Sequence, residues 1–305
     1  MPSGLWDIPT LFLTKWFPPK RPTASFAGKT IIVTGSNTGL GYEAARIYLE
    51  QGASRVILGV RTVTKGEAAA EQLAKDTGRR GIVTVLRLDM DSFDSAREFA
   101  RSVETSFGHV DVVVLNAALE NREYKLTGSG WEETIFVNLL STTLVALLLL
   151  PCLMKARKEN PQSLPHLVFV GSGGHANVPR SALPDPPVDI LKQLSAAPKG
   201  DEAYAGLDQY STSKLLLCYA VREIAKLATT DDGTVAVSVT SCCPGFCTSN
   251  IGRDYGEWYI QWALWVFESL CARSSEEGSR TMVSASLLGA EAQGKFWTHD
   301  KLAPE

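Results

Sequence analysis

Tyr210 and Lys214, four residues apart in QYSTSK, are the pairing in this chain best suited to chemistry. On a helix that spacing puts both side chains on one face. A phenol with an ordinary pKa of about 10 is a poor acid–base group at neutral pH. A neighbouring ammonium favours the phenolate and lowers that pKa, at about 1.4 kcal/mol per unit. Tyrosine beside lysine is thus a route to a usable general acid. A tyrosine and lysine at this spacing also arise by chance on many helices. Further polar residues close or interrupt apolar runs. Asn116 closes VDVVVL, Ser172 follows HLVFVG, Asn138 sits in FVNLL, and Pro244-Gly245 follows the apolar run near Val235.

The second chemical feature is TIIVTGSNTGLG, Thr30 to Gly41. Ile31-Ile32-Val33 reads as a buried strand. Tyr42 to Gln51 reads as a helix that Gly52 stops. Strand, glycine turn and helix together place a phosphate against free backbone N–H groups at a helix N-terminus. Glycine suits the turn because a Cβ would hold the phosphate away or block a left-handed conformation. The spacing is TGxxxGxG and not the common GxGxxG fingerprint. Gly35, Asn37, Gly39, Leu40 and Gly41 are the candidate phosphate contacts, and an ordinary strand-to-helix turn is the plain alternative.

The elements that must position these groups alternate along the chain. Arg55–Val60, Ile82–Leu88, Val110–Leu115, Leu167–Val170 and Val235–Thr240 read as strands. Helices read over Thr64–Lys75, Ser92–Phe107, Glu132–Lys155, Tyr210–Ala228, Tyr259–Cys271 and Ser275–Leu288. This alternation predicts an α/β fold, a doubly wound parallel sheet with helices on both faces in one domain. Near-continuous Val/Ile/Leu strands fit burial on both faces. A ligand then sits beyond the C-terminal ends of the strands, where the polar residues are.

Composition narrows the function. The 305 residues are 45% hydrophobic and 21% charged, with net charge −3 and no basic cluster, which argues against nucleic acid as a partner. Three of the six cysteines fall in CCPGFC, with no histidine near them, so no metal is expected. A reducing, cytoplasmic compartment is the simpler reading. Residues 1–28 form an aromatic arm that lacks the basic start of a signal peptide. Packing on the domain, residues 29–305, is the expected role of that arm; contact with a membrane surface through Trp6, Phe12, Trp16 and Phe17 is the alternative. The apolar run Leu139–Met154 is read as a buried helix or an interface and not as a membrane span.

Glycine loop, Asn-Ala, Asn, Ser and Tyr-x-x-x-Lys, in this order from about Lys29 to Leu288, resemble the short-chain dehydrogenase/reductase family. VRTVTKG, SEEGSR and GKFW make the chain similar to the retinol-dehydrogenase-like and WW-domain-oxidoreductase-like branch, and to fungal reductases of secondary metabolism. The resemblance implies that Tyr210 exchanges a proton with the carbonyl or alcohol oxygen and that Ser172 orients that oxygen. It implies that Lys214 lowers the Tyr210 pKa and holds the nicotinamide ribose, and that Asn138 holds a water leading to Lys214. The cofactor supplies the hydride.

The end of strand two reads Leu58-Gly59-Val60-Arg61, with Lys65 close behind. No carboxylate stands there to take a ribose 2′-hydroxyl, and two cations could take a 2′-phosphate, so NADP(H) is expected. The resemblance assigns Asp89 to the adenine amino group, with a helix N-cap as its other reading. Asn116, Gly245 and Ser249, the last preferred by spacing over Thr248, complete the expected cofactor contacts. Asn116-Ala117-Ala118 replaces the family's Asn-Ala-Gly. His175 is read as structural. The Pro-rich link 177–207 and the aromatic stretch 255–267 are expected to wall a bulky, apolar substrate. Family members often pair as homodimers through helices that correspond to Glu132–Lys155 and Tyr210–Ala228. The expected function is NADP(H)-dependent interconversion of a ketone and a secondary alcohol. A dehydratase, isomerase or cyclase on the same fold is the alternative, and a nucleotide-sensing protein without catalysis a third.

Overall fold

A computed structural model describes residues 14–185, 188–198, 203–248 and 270–303. Its centre is β1 (Thr30–Thr34), buried along its whole length. β2 (Arg55–Val60) and β4 (Val112–Leu115) flank it in parallel, with Ile32 opposite Ile57 on one side and Val113 on the other. With β3 (Val83–Arg87), β5 (His166–Val170), β6 (Ser238–Cys243), β7 (Phe296–Thr298) and β8 (Lys301–Leu302) the sheet runs β3-β2-β1-β4-β5-β6-β7-β8. Only the β7–β8 pairing is antiparallel. The order reverses between β1 and β4, the switch point at which open α/β sheets bind ligands.

Alternation along the strands divides the core between the two faces. Ile32, Ile57, Val113 and Phe169 point to one face. They meet α3 (Phe93–Phe107), α4 (Glu133–Glu159) and α6 (Gly206–Leu227) through Phe99, Phe136, Leu149 and Leu217. Ile31, Val33, Leu58 and Val114 point to the other. There they meet α1 (Gly39–Glu50), α2 (Val63–Thr77) and α7 (Ser275–Ala285) through Ala44, Tyr48, Leu73 and Met282. Each fully buried Leu, Ile or Phe contributes about 1.5–3 kcal/mol relative to exposure. The short α5 (Ile190–Leu194) lies on the link between β5 and α6.

Several boundaries depart from the sequence reading. The last long strand is Ser238–Cys243 and not Val235–Thr240, because Val235 bridges antiparallel to Thr229 and turns the chain first. β7 and β8 were not anticipated; two and three residues are too few to show a period. α6 begins at Gly206, not Tyr210. α4 runs on past Pro151 to Glu159, and includes a π-helical turn over Phe136–Ser141. Pro151 is exposed and Leu147 is 40% exposed, so the carbonyl left without a donor can turn to water. By length and composition α4 could cross a membrane, but 67% of its apolar window is buried inside the fold. The expected helix Tyr259–Cys271 lies almost wholly outside the described residues, and the aromatic wall 255–267 lies entirely outside them.

The N-terminal segment is fastened to the domain from residue 14 onward. Arg273 donates to the Thr14 carbonyl at 2.9 Å, Arg280 to that of Pro19 at 3.1 Å, and the Lys20 N–H to Asp300 at 3.0 Å. Trp16 and Phe17 remain 62% and 75% exposed. Trp6 and Phe12 lie outside the described residues.

Candidate active site

The glycine loop leaves β1 at the switch point. Gly35 and Gly39 have φ of +65° and +60°, the left-handed region. A Cβ on Gly41 would stand 2.6 Å from the Gly35 carbonyl oxygen, so only glycine lets α1 approach the turn. A Cβ on Gly39 would meet nothing, so open space lies in front of the loop. α1 has no side-chain cap and no acid in its first turn, which leaves its N–H groups available to an anion. Asn37 and Leu40 are partly buried beside these glycines.

Arg61 and Lys65 are both exposed at the start of α2, one residue and five residues past the end of β2. Neither makes an ion pair among the described residues. Loop, bare helix end and paired cations fit a dinucleotide that carries a 2′-phosphate. Asp89 is partly buried beyond β3, and its carboxylate accepts from the Asp91 N–H at 3.3 Å. It is not the cap of the next helix: Ser92 caps α3 by accepting from the Ser95 N–H at 3.2 Å.

Asn116 acts first as a staple. Its side-chain amide donates to the Thr34 and Gly35 carbonyls at 2.9 and 3.2 Å. The N–H groups of Asn116 and Ala117 both donate to the Thr34 hydroxyl at 3.0 Å. A Cβ on Gly35 would stand 2.9 Å from Ala117 Cα, so the Asn-Ala-Ala turn is pressed on the glycine loop. Asn138, in the π-helical turn of α4, clamps Leu119. Its Oδ1 accepts from the Leu119 N–H at 2.9 Å, and its Nδ2 donates to the Leu119 carbonyl at 2.8 Å and the Ser213 hydroxyl at 3.1 Å. π-turns are often found at functional sites because they re-aim one side chain.

Ser172 follows β5 and caps a 3-10 turn, Gly173–Asn177. Its hydroxyl stands near enough to the Tyr210 phenol to favour the ionised form. The His175 ring donates from Nδ1 to the Ser172 carbonyl at 2.6 Å and packs against the Phe296 ring in an edge-on arrangement, consistent with a structural role. Lys214 is 2% exposed, donates to the Val170 carbonyl at 2.8 Å and lies 5.5 Å from the centre of the Tyr210 ring.

Burial dominates the electrostatics of this pair. It pushes the Tyr210 phenol well above its ordinary value; Cys243 and Glu120 push it further, and the Ser172 hydroxyl pulls it back. Burial also lowers the Lys214 ammonium to about 8.

Cys243 ends β6, and its sulfur accepts from the N–H groups of Gly173 and Gly245 at 3.3 Å each. It thereby couples the Ser172 turn to the Pro244-Gly245 turn. Gly245 has φ of +83° and rests on the Arg273 guanidinium. Thr248 donates its hydroxyl to the Arg273 carbonyl at 2.9 Å, so that hydroxyl is engaged; Ser249 lies outside the described residues. A groove of about 670 Å³ runs along the 180–194 link, but Ser172, Tyr210 and Lys214 do not line it.

The structure thus brings Ser172, Tyr210 and Lys214 together beyond the strand ends, with Asn138 and Asn116 fixing the loops around them. Sequence reasoning missed Thr34, Ser213, Cys243, Glu120 and Arg273. Only Thr34 and Cys243, each flanking a quoted glycine motif, left a local signal.

Comparison with known proteins agrees with this geometry. The short chain dehydrogenase family profile matches residues 29–176. The chain is 39% identical over 294 residues, 95% of its length and 83% of the relative's, to short-chain dehydrogenase/reductase phmF of Phaeosphaeria nodorum. It is 38% identical over 287 residues, 94% and 81% of the two chains, to short-chain dehydrogenase/reductase ffsI of Aspergillus flavipes. The solved RhlG/NADP active-site complex of Pseudomonas aeruginosa is similar at TM-score 0.66 and 24% identity, covering 92% of this chain and 97% of that one. L-sorbose reductase of Gluconobacter frateurii, complexed with NADPH and L-sorbose, is similar at TM-score 0.64 and 18% identity, covering 91% and 97%. The chain belongs to the short-chain dehydrogenase/reductase family, oxidoreductases that act on CH–OH and C=O groups.

Proposed function

We propose that this chain is an NADP(H)-dependent reductase that interconverts a ketone and a secondary alcohol on a bulky, largely apolar molecule of secondary metabolism. The observation that carries this reading is the Tyr210 phenol, brought beside Ser172 just past the end of β5 and 5.5 Å, measured to its ring centre, from the buried Lys214 ammonium. Arg61 and Lys65 favour the phosphorylated dinucleotide, and the relatives solved with NADP or NADPH agree with that choice. When bound, the cofactor supplies or accepts the hydride at the substrate carbon.

The chain's own residues handle the oxygen and its proton. Ser172 and Tyr210 hydrogen-bond the carbonyl oxygen, and Tyr210 gives it a proton during reduction. A phenol held high by burial is a firm proton carrier, and this favours reduction over oxidation at neutral pH. Lys214, lowered to about 8, is poised to pass a proton to Tyr210 near neutrality. Asn138 and Asn116 hold the loops still. A homodimer through α4 and α6 is part of this reading, since Leu147 and Tyr219 on those helices are 40% and 48% exposed; light scattering tests it.

The decisive variant is Tyr210→Phe. It is expected to abolish NADPH oxidation across a panel of apolar ketones while NADPH still binds, as read by cofactor fluorescence. Retained turnover overturns the proposed role.

A further inference from the structure

Glu120 is a half-buried carboxylate in the loop beyond β4. The chain on either side of it is held. Leu119 is clamped through both its N–H and its carbonyl by Asn138, at 2.9 and 2.8 Å. Asn121 donates to Glu133 at 2.6 Å, and its carbonyl is pressed so closely on Gly206 that a Cβ there would stand 1.9 Å away. Glu120 is therefore held at its backbone from both sides. Its backbone is fixed between α4 and the start of α6, the helix that carries Tyr210.

The neighbours of this carboxylate are functional. Its charge helps hold the Tyr210 and Tyr204 phenols high, and among the described residues Arg122 is the cation that acts on it. Yet Glu120 makes no hydrogen bond or ion pair among the described residues. A second carboxylate in the same region shows what a structural acid looks like here. Glu132 is fully buried and accepts from the Thr134 and Ile135 N–H groups, from the Tyr204 hydroxyl at 2.9 Å and from Gln209 at 3.1 Å. Among the described residues Glu132 is satisfied four times and Glu120 not once. A half-buried acid without a partner is unfavourable for the fold, and burial accordingly pushes its carboxyl above the usual range. Such groups are retained where a ligand completes them.

We infer that Glu120 is a specificity-determining residue: it accepts a hydrogen bond from a hydroxyl that the substrate carries close to its reacting carbonyl. The substrate is then not merely apolar but a hydroxylated ketone, with one polar edge toward Glu120 and Tyr210 and an apolar body elsewhere. This rests on the redox reading above and narrows it. A hydrogen bond to a charged acceptor discriminates by about tenfold to a hundredfold between a ligand that has the donor and one that lacks it.

The test compares α-tetralone with its isomeric phenolic hydroxy-α-tetralones, using wild type, Glu120→Leu and Glu120→Gln. Binding of each probe to the NADP+ form is measured by calorimetry, since oxidised cofactor leaves the ketone unreduced. Turnover is followed by NADPH absorbance, and cofactor fluorescence confirms that the variants are folded. At least one hydroxylated isomer is expected to bind wild type about tenfold or more tighter than the parent, and to show a kcat/KM advantage of similar size. In Glu120→Leu that ratio falls to about one, and in Glu120→Gln it lies between. Binding preference that disappears in Glu120→Leu, with no turnover of any probe, sinks the redox reading and keeps this one. A preference that survives Glu120→Leu, no preference in wild type, or no binding of any probe overturns it.

Discussion

Lys214→Met is expected to stabilise the cofactor-free protein at neutral pH and to lose that advantage in mild alkali. Lys214 is 2% exposed, and burial lowers its ammonium from 10.5 to about 8. Between those two values the unfolded chain binds more protons than the folded one, so stability rises with pH through that window. Below it the full penalty of a buried charge is present. The fall from 10.5 to about 8, at about 1.4 kcal/mol per pH unit, corresponds to about 3 kcal/mol near pH 7. Methionine has similar length and no charge, so it removes this penalty. It also leaves the Val170 carbonyl, which accepts from Lys214 at 2.8 Å, without its donor. That loss costs about 1–3 kcal/mol. The net gain near neutrality is about 1 kcal/mol.

Raising the pH to about 9.5 removes about 2 kcal/mol of the wild-type penalty and none from the variant, so the order of stability reverses. Urea unfolding of both proteins at the two pH values reads this directly. A difference that stays constant with pH, or one that moves the other way, refutes the assignment of Lys214 as a strained, buried ammonium. The same variant is expected to be inactive, which is the usual conflict between stability and a group kept for chemistry.

Gly41→Ala puts a Cβ 2.6 Å from the Gly35 carbonyl and 2.7 Å from the Asn116 amide. A loss of about 1–3 kcal/mol in unfolding free energy is expected, together with weaker NADPH binding by fluorescence; an unchanged Kd would refute the cradle. Replacing Arg61 and Lys65 together by alanine is expected to weaken NADPH by on the order of tenfold or more and to leave NADH nearly unaffected. Equal losses for both cofactors would remove the 2′-phosphate assignment. Arg273→Met strips the donor from the Thr14, Phe17 and Pro244 carbonyls. It is expected to lower stability by about 1–3 kcal/mol and to raise the Kd for NADPH as the Pro244-Gly245 turn loosens, with Arg273→Lys restoring part. A stability loss with unchanged NADPH affinity would show that Arg273 anchors only the N-terminal segment.

What could be read in the sequence was whatever is local. A strand's apolar run and the polar residue that closes it are neighbours in the chain, so Asn116 and Ser172 announced themselves at strand ends. Tyr210 and Lys214 did so by one helical turn. The glycine loop was legible because its backbone demand, two left-handed turns and one close helix approach, can be met by glycine and little else. Arg273 had no such signal. Its guanidinium is fully buried, makes no ion pair among the described residues, and is held by carbonyls from residues more than 250 positions earlier in the chain. No spacing rule reaches that far. The Asn138 side chain holds Leu119 and Ser213, a contact made by the π-helical turn that apolar periodicity hides. That clamp in turn fixes Glu120, which from sequence was an unremarked charge in a loop. The two groups differ in a way that separates fold from function. Arg273 is a buried charge whose hydrogen bonds are made within the chain, so its worth can be measured with nothing bound. Glu120 is a partly buried charge with no hydrogen bond among the described residues, and on the inference above its worth can be measured only with a hydroxylated ligand bound.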